Sequence, residues 1–364
     1  MLDTTPRERA DGWVVSTPEN AQFDPHSIDS LTGWIADNQY YHNHHAVLIE
    51  HAGTLVYETY LKGEDNRYGE PLGKRQHTAD DLHDLRGTTT GVTSLLLGIA
   101  LKDNFVEALE TPLVDYLVNL PIEFRNGAES IQLKHALSMT AGLKWDEWSK
   151  PFGNWQNDEY RMHLTNDPIG MVLRRPLEHK PGTAWRYNGG MSEVIAAVIE
   201  QISGERIDKF AQRVLFKPLG ISQFEWLGSD NWRPSGTPSA SSGLRLRARD
   251  LAKIGSVVRN HGVWNGDQIV PRDWVRASAM QQIGDVDQGM RGTYGYGLHW
   301  WLGESNGIPK YRFFGAFGNG GQQLIVVPER DLVVTIFAGN YWHPRQYMLN
   351  WLLWRIVFAH RSHS

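Results

Sequence analysis

The stretch LHDLRGTTTGVTSLLLGIAL, residues 82–101, decides how the chain is read. Val92, Leu95, Leu96, Ile99 and Ala100 recur at helical spacing, so residues 88–102 are expected as a helix with one buried stripe. Thr88 and Thr89 stand where a helix cap is expected, and their hydroxyls suit that role. This helix opens a middle region, about residues 80–295, that reads mostly as helix and loop. Residues 191–202 repeat the pattern, with Val194, Ile195, Val198 and Ile202 inward and Gly204 as the stop. Shorter helices are expected at 133–139, 207–214, 248–260 and 272–279.

The two ends of the chain read differently. Residues 46–50 (AVLIE) and 54–60 (TLVYETY) flank a short turn at 51–53, a hairpin signal. Residues 323–327 and 331–337 form a second pair around 328–330, and 298–302 is a further strand. Helical periodicity at 28–38 and 346–358 brackets these strands. The expected fold is α/β (α+β): an antiparallel sheet from both chain ends, flanked by helices, with a large, mostly helical insertion. The expected domains are a sheet domain at 1–79 and 296–364 and a helical inserted domain at 80–295. A cleft between two such parts is a common ligand site.

Composition narrows the chemistry. The 364 residues include no cysteine and 15 tryptophans, and the formal net charge is −5. The absence of cysteine excludes disulfides, thiolate metal sites and a cysteine nucleophile. Mild acidity argues against nucleic acid as a partner. The first residues, MLDTTPRERADGW, contain no apolar segment of a signal peptide. No apolar run approaches the roughly 18 residues that span a bilayer, so no membrane association is expected. The expectation is a cytoplasmic protein that acts on a small molecule and needs no cofactor.

Seven segments carry a resemblance. They are residues 82–101 (above), LKHALSMTAGLKWDE (133–147), KPGTAWRYNGGMSEVIAAVIEQISG (180–204), LFKPLGI (215–221), SGLRLRARDLAKIG (242–255), YGYGLHWWLG (294–303) and FGNGGQQLIVVPERDLVVTIFAGNY (317–341). Together they resemble the serine β-lactamase and DD-peptidase superfamily, in its branch of class C-like esterases and 6-aminohexanoate-dimer hydrolases. The resemblance implies a Ser-x-x-Lys pair at the start of the 88–102 helix. That spacing puts the hydroxyl and the amine on one helical face. Here the matching residues are Gly87-Thr88-Thr89-Thr90. Gly87 stands in the serine position and Thr90 in the lysine position. A glycine cannot be acylated, and a threonine is a poor base.

The resemblance assigns proton exchange to Tyr187. With no lysine beside it, the phenol is expected to be neutral and to act as a hydrogen-bond donor or general acid. Thr90 is a candidate relocated nucleophile, and Gly87 and Thr88 are candidate substrate contacts. Asn188 follows Tyr187 and is placed to orient ligand or backbone. Around Asn319, Gly320 and Gly321 two readings stand side by side. One is a backbone that approaches the ligand closely and binds a carbonyl through its N–H groups. The other is a tight turn into the next strand. Asp146 and Glu147 supply a carboxylate base if they face the cleft; a solvated loop is the favoured reading of the pair. Trp145 and Trp301 are expected to line an apolar pocket, within a wider group that includes Trp148, Trp155, Trp185 and Trp300. His42, His44 and His45 invite a metal reading, but strand alternation sends His44 and His45 to opposite faces, so no metal site is expected there. His83 and Asp84 read as structural.

The favoured activity is non-covalent small-molecule chemistry such as cyclisation, elimination or isomerisation, in a biosynthetic setting. The alternatives are an esterase, amidase or acyltransferase with a relocated threonine or a directed water, and a non-catalytic binding protein.

Overall fold

A computed structural model describes residues 2–37, 43–119, 127–228, 236–284, 286, 293–304, 310–343 and 355–356. Nine strands form the main sheet: β1 (Val14–Val15), β2 (His44–His51), β3 (Thr54–Tyr60), β4 (Ile283–Gly284), β5 (Thr293–Tyr296), β6 (Trp301–Glu304), β7 (Arg312–Gly318), β8 (Gln322–Val327) and β9 (Leu332–Ala338). Their order is β1-β3-β2-β9-β8-β7-β6-β5-β4. Every pairing is antiparallel except β1 with β3. Strands from the two chain ends meet at the β2–β9 pair, where Ile49 lies opposite Val334 and Val47 opposite Ile336.

The sheet separates two cores, and this explains the apolar runs of β2, β8 and β9. Ala46 and Leu48 face one core, while Val47 and Ile49 face the other. Strands covered on both faces lose the polar half of their alternation. The first core holds the helices α2 (Thr89–Leu101), α3 (Gly189–Ser203) and α4 (Ala248–Arg259). The second is closed by α1 (Pro25–Ala36) through Ile28, Leu31 and Ile35. Asp24 starts α1 by accepting from Ser27 N–H at 2.8 Å, and Pro25 suits the first helical position.

The α2 helix is buried on nearly every side, not along one stripe. Its small residues allow this. A Cβ on Gly98 would lie 2.3 Å from the Trp274 ring, and one on Gly91 would lie 3.0 Å from Ala316 Cβ. Leu95, Leu96 and Leu97 are fully buried, and each such side chain contributes on the order of 1.5–3 kcal/mol.

Several expectations shift. Residues 298–300 are not strand: Gly297 N–H bonds to Trp300 O at 2.7 Å, and the resulting turn joins β5 to β6. The sheet also takes up β4 and β5 upstream of residue 296. A polar hairpin, Lys62–Arg67 with Glu70–Gln76, had no apolar alternation to announce it. The 207–214 helix ends as Ile207–Ala211 and continues as a wider turn, Gln212–Phe216. Most of the helix expected at 346–358 lies outside the described residues. Among those described, no helix is long and apolar enough to cross a membrane.

Candidate active site

The cleft forms where the end of β7 meets the turn before α2 and the loop that follows residue 143. It encloses about 350 Å³. The turn Arg86–Thr88 is a single 3-10 turn, and Arg86 holds φ +50, a left-handed conformation that is unusual for a side-chain-bearing residue. Asp84 anchors that turn. Its carboxylate pairs with Arg86 at 3.0 Å and Arg245 at 2.7 Å, and accepts from Tyr68 N–H at 2.6 Å. The Arg86 guanidinium also lies over the rings of Tyr68 and Tyr341, at 4.8 and 5.0 Å, a cation–π arrangement.

Gly87 lines the cleft. A Cβ on it would lie 3.3 Å from the Tyr187 hydroxyl but only 2.6 Å from the Phe317 carbonyl oxygen. Position 87 therefore points at Tyr187, and the β7 backbone crowds any side chain there. The three threonines that follow turn away from the cleft. Thr88 is fully buried, with its hydroxyl 3.4 Å from the carbonyls of Ala316 and Gln322. Thr89 accepts from Leu244 N–H at 3.4 Å. Thr90 donates to Gly87 O at 2.9 Å. None of the three lines the cavity. Neither Thr88 nor Thr89 caps α2, because the preceding turn is already helical and their hydroxyls face neighbouring strands and loops.

Tyr187 lines the cavity and is half-buried. It stacks on Trp148 at 5.1 Å and lies beside Trp301 at 6.0 Å between ring centroids. The sequence expectation named Trp145, but Trp148 supplies this wall. Trp145 is buried behind it and donates from Nε1 to Glu147 Oε2 at 2.6 Å. The same oxygen accepts from Gly189 N–H at 2.7 Å, so Glu147 is clamped to the start of α3 with its carboxyl at the cavity. Burial pushes its proton affinity well above the ordinary carboxylate range, and the nearby Glu159 carboxylate adds to this. Glu159 lines the same cavity.

Asp146 does not line this cavity. Its carboxylate accepts from the N–H groups of Trp148 and Ser149 and from the Ser149 hydroxyl. Burial opposes its ionisation, but those donors hold it below the ordinary range. One carboxylate of the adjacent pair thus shapes the loop and the other reaches the cleft. Alternation along an irregular loop gave no means of choosing between them.

Asn319 lines the cavity, and its side-chain carbonyl accepts from Trp342 N–H at 2.9 Å. Gly320 and Gly321, at φ +94 and +95, make the turn between β7 and β8. Gly321 N–H bonds Gly318 O and Asn340 N–H bonds Gly320 O. Of the two readings of this segment, the turn describes both glycines, and neither lines the cavity. Asn188, expected as a ligand contact, does not line the cavity either: it is buried, and its N–H meets Met139 Sδ at 3.4 Å.

Sequence reasoning missed Arg86, Tyr68, Glu159, Ser241 and Ser242, which all line the cavity. Ser241 donates to Glu193 Oε1 at 2.9 Å, and Ser242 meets the Tyr68 hydroxyl at 3.1 Å. These residues come from separate segments, and no spacing links them. Trp300, by contrast, faces the helical core behind β6, and Trp155 is exposed.

Residues 42–355 match the beta-lactamase family model. The chain is 22% identical over 290 residues to the 6-aminohexanoate-dimer hydrolase of Paenarthrobacter ureafaciens, covering 73% of this chain and 70% of that protein. It superposes on a Bacillus anthracis structure provisionally named 6-aminohexanoate-dimer hydrolase with a TM-score of 0.70 and 18% identity, over 99% of this chain and 90% of that one. EstCE1, a hydrolase with promiscuous acyltransferase activity, also gives a TM-score of 0.70, at 16% identity, over 95% of this chain and 100% of that one.

Proposed function

The chain belongs to the beta-lactamase family, and from that premise we propose that it is a small-molecule enzyme that uses the family's cleft without an acyl-enzyme intermediate. The observation that carries this reading is at Gly87. The position that points at Tyr187 has no side chain, and a Cβ there would sit 2.6 Å from the Phe317 carbonyl. The threonine hydroxyls nearby are hydrogen-bonded away from the cavity.

The groups that remain suit proton transfer and polarisation. Tyr187 presents a phenol at the cavity that Gly87 also lines, and hydrogen-bonds a substrate carbonyl or delivers a proton to it. Glu147, with its proton affinity raised by burial, carries a proton into the pH range where an ordinary glutamic acid has lost it. With the Glu159 carboxylate at the same cavity to take up a proton, one of these donors delivers a proton to one substrate atom while Glu159 removes one from another, as isomerisation, elimination or cyclisation requires. Trp148 and Trp301 favour a substrate with a flat or apolar body. Arg86, with its charge shared with Asp84, favours a polar or anionic end on the opposite side.

Hydrolysis is the second reading, favoured by the hydrolase relatives and by the Ser241 and Ser242 hydroxyls at the cavity. Oxygen-labelled water separates the two. A metabolite panel is incubated with the protein, and any product is examined for solvent oxygen. The proposal expects a Tyr187-dependent product that is an isomer or dehydration product of its substrate, without label. A labelled carboxylic acid product overturns it.

A further inference from the structure

Away from the cleft, three ligand-type side chains converge in the interior. His45 lies on β2, Asp65 on the polar hairpin and His83 on the segment that leads to Gly87. All three are buried. His45 Nδ1 lies 2.7 Å from His83 Nε2, and Asp65 Oδ1 lies 3.8 Å from the first and 3.6 Å from the second. We propose that these three atoms form a divalent transition-metal site, with zinc the best match.

The geometry supports it directly. From those three separations, the point equidistant from the atoms lies about 2.0 Å from each, which is the length of zinc–nitrogen and zinc–oxygen bonds. The backbone prepares one ligand. His83 Nδ1 faces the Asp84 carbonyl at 3.1 Å, and an N–H donated there leaves Nε2 as the unprotonated, ligating nitrogen. The cluster is also poorly satisfied as it stands. At 3.6 and 3.8 Å neither imidazole hydrogen-bonds the Asp65 carboxylate. Among the described residues that carboxylate accepts only from Asn66 N–H, at 2.8 Å. Arg75 and Arg245 act on it from a distance, but their hydrogen bonds go to Asp81 and to Asp84 and Glu225. A buried carboxylate without a close cation is costly. His77 Nε2 is buried without a hydrogen-bond partner, and the His45 ring has the Glu64 backbone beside it. The His77 ring stacks on His45 at 3.8 Å, which sets another ligand-type side chain beside the three.

The expected hydrogen-bonded alternative is a proton shared between His45 and His83. Metal binding through His45 Nδ1 moves that proton to His45 Nε2, so both rings remain neutral imidazole ligands. The consequence is structural: one ion ties β2, the hairpin and the residues just before Asp84 and Arg86 together. The sequence reading of the histidines looked at neighbours in the chain. His42 lies outside the described residues, and His44 lies against Trp34 instead, at 5.9 Å.

The test uses the full, tag-free chain, stripped with chelator and titrated with zinc chloride and, separately, cobalt chloride. The proposal expects one tight equivalent that survives gel filtration, a rise in melting temperature, and visible cobalt bands characteristic of low coordination number. Asp65→Asn and His45→Gln should each weaken zinc binding by roughly 100-fold or more, since even outer-shell changes cost about 10–100-fold. No tight equivalent in the unaltered chain overturns the proposal, whatever the variants do. So does tight binding that both folded variants retain.

Discussion

Along one wall of the cleft, residues 86–90 and 317–319 bring backbone against backbone. Along the other, residues 145–148 and 185–187 crowd side chains together. On the first wall Gly87 offers no functional group, and Thr90 spends its hydroxyl on the Gly87 carbonyl. On the second, Glu147 is clamped by Trp145 and Gly189, and Tyr187 packs against Trp148 and Trp301. In the family pattern that the sequence resembles, the reactive pair belongs to the first wall. On the function proposed above, the fold keeps its cleft and the chemistry moves across it. Position 87 is confined by a strand, whereas the loop wall is free to arrange carboxyl and aromatic groups.

The largest expected effect falls on the second wall. Tyr187→Phe should lower turnover by about 10²–10⁴-fold while the melting temperature stays close to that of the unaltered chain. Steady-state rates and thermal melts read this together. A smaller effect, about 10²-fold, is expected for Glu147→Gln, with a distinctive pH signature. A carboxyl whose folded-state proton affinity is raised binds more protons folded than unfolded. Its contribution to stability is therefore present below the unfolded value of about 4.5 and is lost as pH rises above it. The unaltered chain should lose stability over that range, and Glu147→Gln should remove this part of the loss. Melting curves from acid to neutral pH check it. Identical pH dependence in both proteins would place Glu147 outside this account.

On the first wall, Gly87→Ser should destabilise by about 1–3 kcal/mol, because the added Cβ meets the Phe317 carbonyl and the strand must move. Denaturant titration measures this. The same variant should gain no activity on activated esters. A stable, esterase-active Gly87→Ser protein would show that the two walls differ less than proposed. The smallest effect is expected at Trp148→Ala, which removes one stacking partner of Tyr187 at the exposed rim. Ligand affinity should fall by about 0.5–1.5 kcal/mol, read by calorimetry, with little change in stability.

Much of the fold was legible in the sequence because β2, β3, β8 and β9 are covered on both faces. Such strands read as apolar runs joined by short turns. The short pairings of β1, β4 and β5 left no pattern, since two to four residues cannot show periodicity. In the cleft, Gly87, Tyr187, Trp301 and Asn319 were legible through their motifs. Trp145 and Trp148, and likewise Asp146 and Glu147, were not separable, because which neighbour turns inward is set by hydrogen bonds from Ser149, Gly189 and Trp145 itself. The His45, Asp65 and His83 cluster was out of reach for a different reason. Its members come from three segments brought together only by the sheet and the hairpin.

Intact-mass measurement after exposure to a fluorophosphonate, a penicillin and an activated ester tests the central claim most directly. The account predicts an unchanged protein mass with all three reagents. A stoichiometric adduct on Thr88, Thr89, Thr90, Ser241 or Ser242 would contradict it and return the chain to covalent catalysis.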